Sequence, residues 1–341
     1  MELSFREKKI SPGTKRRVLI LAAVFVAALI FFVVFFHFSQ GGPGQSSMGD
    51  AALPVVTMEA CGRTMNELHG YTREMDACYM RDAVLPLEAD RVLPLTVHTY
   101  GYTVQSASYE IRSLDTERKI AETQIDNFTR DGDDLRADVQ IENLVEEGEE
   151  YLFILTLEGE QDQQVRYYTR IMLPDDCHEK ECLDFAEYFH ETALSGNYSE
   201  LNTYLETDTN TDMDTLSQVT IHSSIQQVGW KGFAGTVVGE PVVEMKEINS
   251  SYVALEFYYQ IQRQDAAGKT HTYQVEEYFK IRYGGQRMYL LDYSRTMEEY
   301  LTQENLEAGT NDLSLGVAGN DLTYFSNETG TVVAFVQTGE L

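Results

Sequence analysis

A run of nineteen apolar residues near the start of the chain, at positions 18–36, limits its fold more than any other feature. As a helix, the run VLILAAVFVAALIFFVVFF rises about 1.5 Å per residue and approaches the roughly 30 Å hydrocarbon thickness of a bilayer. Residues 1–17 hold six bases against two acids, and positively charged flanks stay in the cytoplasm. The sequence therefore predicts a cytoplasmic arm over 1–17, a transmembrane signal anchor over 18–38 and an extracytoplasmic remainder, in a single-pass protein of the cell membrane.

Two alternatives to an anchor stay open for this run, a cleaved signal peptide and a buried core helix. The apolar region of a signal peptide is normally about 7–15 residues and is closely followed by a small-x-small cleavage site. Here the segment HFSQGGPGQSS follows and contains no persuasive site of that kind. Residues 39–52 are rich in Gly, Ser and Gln, which predicts a flexible linker.

The charge balance excludes one class of partner. The 341 residues include 55 acids and 26 bases, a net charge of −29. Nucleic acid would therefore be repelled, with no gain from counterion release. With 43% hydrophobic and 24% charged residues, the composition is that of a folded chain. No nucleic-acid partner is predicted.

Short runs of alternating apolar and polar residues fill 53–173, as in RVLPLTVHTYG, LRADVQIENL and QVRYYTRIML. Their spacing of roughly ten residues predicts an antiparallel β-sandwich. Within it, LVEEGEEY at 144–151 resembles the L-x-P-G-x-x-Y tyrosine corner of fibronectin type III and related immunoglobulin-like modules, with one extra residue and no Pro. The resemblance implies an immunoglobulin-like sandwich in which the Tyr151 hydroxyl bonds back to the backbone of the preceding crossover.

From residue 174 onward the pattern is that of helices followed by strands. An apolar stripe at helical spacing, ended by a glycine, predicts the first helix: Cys182, Ala186, Phe189, Ala193 and then Gly196. A second short helix is predicted after Ser199 and a third over about 212–228. Long alternating runs follow, the last two joined by a Gly284-Gly285 hairpin. Helices before an antiparallel sheet predict an α+β layout.

The segment FAEYFHETALSGNYSELNTYL and the strands after it are similar to the cone-shaped domains related to nuclear transport factor 2 and ketosteroid isomerase. The resemblance covers residues 177 to about 302. It implies an α+β module over 174–308 whose curved sheet wraps the helices and a cavity. That family spans enzymes, transport factors and adaptor modules, so the fold does not choose among these functions.

All four cysteines follow the predicted anchor, in a compartment where disulfides persist. The local pairing joins Cys177 to Cys182 and Cys61 to Cys78, although four cysteines allow three connectivities. Free thiols are one alternative. Another is a zinc site of Cys177, His178 and Cys182, which has no second ligand pair nearby in the sequence.

Oxygen-bearing side chains recur at alternate positions of one acidic segment, as in a calcium loop: Asp208, Asn210, Asp212 and Asp214. Met213 stands where such a loop needs Gly, and Val219 stands where it needs the closing Glu. The sequence favours an acidic loop that caps the next helix, with weak divalent-cation binding as the alternative. No cofactor is predicted, because no catalytic or cofactor motif is complete.

Glu277 is the best isolated candidate for chemistry. Alternation in YQVEEYFKIRY places it on the same face as five apolar or aromatic side chains: Tyr273, Val275, Phe279, Ile281 and Tyr283. In a cone-shaped domain that face lines the cavity, where burial would raise the carboxyl pKa and make a general base or a cation contact. The alternatives are that Glu277 pairs with Arg282 or Arg287, or that Glu276 faces inward after a bulge.

Residues 309–341 alternate apolar runs with Gly, Asn and Asp turns, which predicts short β-strands. Two or three such strands are marginal alone, and their spacing is similar to the first blade of a β-propeller. We therefore expect either that the chain is the N-terminal part of a longer protein or that 309–341 adds a hairpin to another sheet.

Taken together, these patterns favour a non-enzymatic, membrane-anchored extracytoplasmic protein that acts in surface interaction or assembly, with a protein partner outside the cytoplasm. The resemblances point to a bacterial cell-surface protein. The alternative is a small-molecule-binding or isomerase-like enzyme that uses the cavity of 174–308. An open cavity containing Glu277 and a second polar group would favour the enzyme, and a cavity filled by Tyr and Phe side chains would count against it.

Overall fold

The computed structural model describes residues 19–21, 23–26, 28, 31, 53–114, 118–142, 145–160, 163–208, 215–265, 268–300, 324–326 and 333–335. Among these residues, no helix has the length and hydropathy needed to cross a membrane. This finding overturns the transmembrane helix predicted over 18–38, of which only nine residues are described, all of them helical. The rest of that run lies outside the described residues, as do the arm 1–17 and the linker 39–52.

Leu53–Leu341 form one compact unit, separate from Met1–Ala52. Its first ten strands are β1 Val55–Ala60, β2 Arg63–His69, β3 Val84–Pro86, β4 Val92–His98, β5 Ser106–Ser113, β6 Lys119–Gln124, β7 Thr129–Asp131, β8 Asp134–Gln140, β9 Glu150–Glu158 and β10 Gln164–Met172. A single 3-10 turn, Ala77–Tyr79, precedes β3. Strands thus occupy the part of the chain where the alternation predicts them.

These strands form two five-stranded sheets, in the orders β2-β1-β4-β8-β7 and β3-β10-β9-β5-β6. Neighbours run antiparallel except β3 and β10, which are parallel. The alternation buries one face of each sheet: Val56 and Leu95 of the first sheet and Phe153 of the second belong to one core. The Tyr109 hydroxyl also donates to the carbonyl oxygen of Gln140 across the two sheets, at 2.9 Å.

The hydrogen bond implied by the tyrosine-corner resemblance is present. Tyr151 lies at the start of β9, and its hydroxyl accepts from the backbone N–H of Glu146 at 3.2 Å. The phenol is buried, so this bond gives its oxygen a partner that water cannot supply.

The later part of the unit contains helix α1 Glu179–Leu194, a 3-10 segment Ser199–Tyr204, β11 Gln218–Thr220, the one-turn helix α2 Ile225–Val228, a second 3-10 turn Trp230–Gly232, β12 Thr236–Asn249, β13 Tyr252–Gln264, β14 Thr270–Tyr283 and β15 Met288–Glu299. The strands form one antiparallel sheet in the order β11-β15-β14-β13-β12. The predicted Gly284-Gly285 hairpin joins β14 to β15, with Tyr283 paired to Met288.

The predicted fold class is wrong: the described chain is mostly strand, and the α+β cone is not what forms after residue 173. Among residues 174–300 that the structure describes, α1 is the only helix longer than six residues. The third predicted helix fails because Val219 and Thr220 pair with β15. The capping box of Ser224 and Gln227 then begins a helix that ends after one turn, at Gly229.

Arg170, on β10, links the second of the two five-stranded sheets to β12 through hydrogen bonds. Its guanidinium donates to the backbone oxygen of Lys246 at 2.6 Å, to Asp82 O at 3.3 Å and to the Glu150 carboxylate at 2.8 Å. A buried arginine with this many acceptors fixes the position of β12 relative to β3 and β10. This position determines the clefts described below.

Near the end of the chain, β16 Tyr324–Ser326 and β17 Val333–Phe335 pair antiparallel. The other strand predicted there, LSLGVAG at 313–319, lies outside the described residues. The propeller blade stays a prediction.

Candidate functional site

Glu277 lies on β14 and faces the protein interior, as the alternation predicts. Its side chain is 1% exposed, whereas the neighbouring Glu276 is exposed. The two arginines considered as partners lie elsewhere, with Arg282 and Arg287 stacked on the ring of Tyr289.

Three side chains bond the Glu277 carboxylate. The Nδ1 of His190, on α1, lies 2.6 Å from Oε2, and the Tyr259 hydroxyl donates to the same oxygen at 3.2 Å. The Tyr293 hydroxyl donates to Oε1 at 2.7 Å. With Arg295, which lies opposite Glu277 in the strand register, these residues form what we call the Glu277 cluster.

Arg295 is fully buried and makes its own contacts on the other side of the cluster. Its guanidinium donates to the backbone oxygens of Val228 and Gln227, both at 2.8 Å. It also lies 3.7 Å from the centre of the Trp230 ring, a cation–π contact. Arg295 therefore anchors the α2 turn to the sheet and supplies a positive charge close to Glu277.

Opposing effects act on the pKa of Glu277. Burial alone would raise the carboxyl pKa, but the hydrogen bond and charge of His190, the charge of Arg295 and the Tyr293 hydroxyl outweigh it and lower the pKa. Burial, followed by the Glu277 charge, raises the pKa of Tyr259 and Tyr293 well above the ordinary value. The cluster thus holds an ionised carboxylate among neutral phenols.

This lowered pKa predicts a pH dependence of stability. The folded state binds the Glu277 proton less readily than the unfolded chain, so the contribution is fully present above the ordinary pKa of 4.5 and is lost as pH falls through the lower folded pKa. We expect the difference in unfolding free energy between wild type and Glu277→Gln to shrink as pH falls below about 4.5 in urea titrations. A difference that stays constant between about pH 7 and pH 3 would contradict the assigned charge state.

Aromatic side chains fill the space around the carboxylate. Phe279 lies 5.7 Å from Phe189, 5.3 Å from Phe257 and 5.3 Å from Tyr293, measured between ring centres. A substrate could not reach Glu277 without displacing them. The packing therefore counts against Glu277 as a general base in an open cavity.

His190 provides the connection from the cluster to the surface. It is 6% exposed and lines a cleft of about 860 Å³, here called the His190 cleft, which lies among β2, α1 and β12. The apolar wall comes mainly from β12 and β13: Val237, Pro241, Val242, Val243 and Phe257.

Carboxylates dominate the charged lining of this cleft. Glu67, Glu191 and Glu240 line it and are exposed. Arg63 is the one lysine or arginine among the described lining residues. Its guanidinium donates two hydrogen bonds of 2.6 Å to the Glu187 carboxylate, so the charges of these two side chains cancel. The net lining charge is negative, so the cleft is suited to a cation.

A second cleft of about 520 Å³ lies on the other side of β12 and is called the Tyr258 cleft. Met80, Tyr168 and Tyr258 contribute apolar and aromatic surface to it. Glu67 and Glu240 line both clefts, so the clefts meet where these carboxylates lie. We call the pair the double cleft.

Cys61, Cys177 and Cys182 are free thiols in the structure, so it contains neither of the two predicted disulfides. The Cys182 sulfur faces the backbone oxygen of Ile281 at 3.9 Å, while the Cys177 sulfur donates to Asp175 O at 3.4 Å. The two sulfurs therefore point to different partners. Burial raises the pKa of Cys61 and Cys182 to about 12, so these thiols are unreactive at neutral pH.

No metal site is found among the described residues, which contain no group of three or more His, Cys, Asp or Glu side chains placed to hold an ion. Of the acidic segment, Asp208 is exposed. Asn210, Asp212 and Asp214 lie outside the described residues, so the cation alternative stays a prediction.

Two residues of the Glu277 cluster, His190 and Arg295, are not among the candidates that the sequence patterns predict. His190 lies four residues after Ala186 and three before Ala193, so the helical stripe would have placed it on the buried face. Arg295 alternates with Tyr293 on β15, but a shift in the β14 and β15 register near Ile281 hides its partner from any count along the chain.

No protein-family model matches the chain, and no curated protein is significantly similar to it.

Proposed function

We propose that the chain is a non-enzymatic binding protein whose double cleft recognises a positively charged segment of a protein partner. The observation that carries this proposal is the position of Glu67 and Glu240, which line both clefts. A cation bound where the clefts meet lies near both carboxylates. The net charge of −29 supports the proposal, because it attracts a basic partner over longer distances.

The apolar walls add the second part of the recognition. Val242 belongs to both clefts, Phe257 to one and Tyr168 to the other. Burying one Val or Leu side chain of a partner against such surfaces is worth about 1.5–3 kcal/mol. A segment that carries both basic and apolar side chains therefore fits better than a small inorganic cation.

One observation favours a second candidate, the isomerase-like enzyme. Glu277 bonds Nδ1 of His190, which orients the imidazole, and His190 lines the cleft. An imidazole held in this way could act as a general base on a bound ketone through Nε2. Its test is deuterium exchange into the α-carbon of a panel of ketones, which this candidate requires the protein to catalyse and His190→Gln to abolish.

Fluorescence anisotropy of a labelled octapeptide that alternates lysine and valine tests the binding proposal. We expect saturable binding that weakens with salt and that weakens about 3–10-fold in the double variant Glu67→Gln with Glu240→Gln, because each surface carboxylate contributes up to about 1 kcal/mol. The matched control is Asp126→Asn with Glu149→Gln, which removes the same charge from exposed loops.

Two outcomes would contradict the proposal. One is an equal loss of affinity in both double variants, which would indicate a general charge effect. The other is equal affinity for an octapeptide that alternates glutamate and valine.

A further inference from the structure

The position of β12 at the edge of its sheet bears on how a partner segment lies in the double cleft. β12 pairs with β13 on one side and is the last strand of its sheet on the other. Such an edge presents backbone N–H and C=O groups to any chain that lies along it. Val238 on this edge is 42% exposed, although it is apolar.

The two clefts lie on the two faces of this strand. Val237 lines the His190 cleft, and the next residue, Val238, lines the Tyr258 cleft. Because successive side chains of a strand point to opposite faces, a second strand beside β12 would place its side chains alternately in the two clefts.

We propose that the partner segment binds in an extended conformation, as an added strand along the regularly paired residues 236–238 of β12. Its lysines or arginines enter the His190 cleft, whose charged lining is net negative, and reach Glu67 and Glu240. Its apolar side chains, on the other face of the added strand, enter the Tyr258 cleft and pack against Met80 and Tyr168. This inference rests on the function proposed above and specifies the conformation of the partner.

The same strand limits the length of the added segment. The β12 register shifts between Val238 and Val242, and Pro241 within that interval has no N–H to donate. Farther along, the backbone oxygen of Lys246 is already bonded to Arg170. Gly239, the first residue of the interval between Val238 and Val242, has a left-handed backbone with a φ of 74°, so the regular strand ends at Val238. The partner therefore pairs over only about three to four residues, a span of roughly 10–13 Å.

A backbone N-methyl scan of the lysine–valine octapeptide tests this arrangement. N-methylation removes one amide donor without changing any charge. We expect methylation at every second position to weaken binding fivefold or more and methylation at the intervening positions to change it less than twofold. A shift of the repeating peptide by two residues preserves this parity, so peptides that are methylated at all amides of one parity give the same result in every such register.

A protein variant supplies the second arm. Val238→Lys places a like charge on the exposed edge, and we expect it to weaken binding at least tenfold. Val238→Thr keeps the β-branched shape and is expected to bind within twofold of wild type.

The outcomes separate the two proposals. Binding that is charge-dependent but indifferent to N-methylation at every position overturns the added strand and leaves the proposed function standing. Absence of binding by the unmethylated octapeptide overturns both.

Discussion

Replacing Glu277 with alanine is expected to lower the free energy of unfolding by about 3–5 kcal/mol, measured by urea titration at neutral pH. The substitution removes the acceptor for the hydroxyls of Tyr259 and Tyr293 and for Nδ1 of His190. All three donors are buried, so each loses the acceptor that it has in the wild type. Removing one member of a buried charged network therefore destabilises the fold by more than the net interaction energy of the group, because its former partners stay buried without it.

Two matched variants serve as controls for the Glu277→Ala result. Glu277→Gln keeps an oxygen acceptor and nearly the same shape, so we expect a smaller loss than for alanine. Glu276→Ala, on the same strand but exposed, is expected to change stability by less than about 0.5 kcal/mol. Equal losses in Glu277→Ala and Glu276→Ala would contradict the buried cluster.

Replacing Arg295 with methionine is the second large effect, also about 3–5 kcal/mol by urea titration. Methionine fills much of the same volume but removes the side-chain donor to the backbone oxygen of Val228 and one of the donors to that of Gln227, which still accepts from the Gly229 N–H. It also removes a positive charge that stabilises the Glu277 carboxylate. The control is Arg282→Met, since Arg282 is exposed and stacks on Tyr289, and its loss is expected to be below about 1 kcal/mol.

The two sites are also expected to be coupled. When Glu277→Leu and Arg295→Met are combined, neither charge is left unpaired by the other, so the double variant should lose less stability than the sum of the single ones. A coupling energy of about 0.5–3 kcal/mol is typical of groups that belong to one charged network. Strict additivity would show that Arg295 and Glu277 act independently.

Sequence patterns correctly predicted those features of the fold that are determined by residues close together in the chain. Period-two alternation placed the strands and turned Glu277 inward, and a short corner motif predicted the Tyr151 hydrogen bond. The stripe from Cys182 to Ala193 predicted α1. In each case, the residues that decide the outcome lie within one element or its adjoining turn.

The predictions that failed concern features that are determined by contacts between segments far apart in the sequence. Val219 and Thr220 pair with a strand about 75 residues later in the chain, which no helical pattern over 212–228 could reveal. The double cleft exists because two edge strands, β2 and β12, come together from different sheets. His190 bonds Glu277 although the two residues are 87 positions apart in the sequence. Arg295 lies opposite Glu277 only because the register of β14 and β15 shifts near Ile281.

Methyl NMR during titration with the lysine–valine octapeptide shows directly whether a partner segment occupies both clefts. We expect the methyl signals of Val237 and Val238 both to shift and to saturate at the midpoint found by anisotropy, because these side chains line the two clefts. Signals of Leu135 and Val139 on β8 should stay in place. Saturable binding that leaves Val237 and Val238 unchanged while methyl signals elsewhere shift would contradict the double cleft as the binding surface.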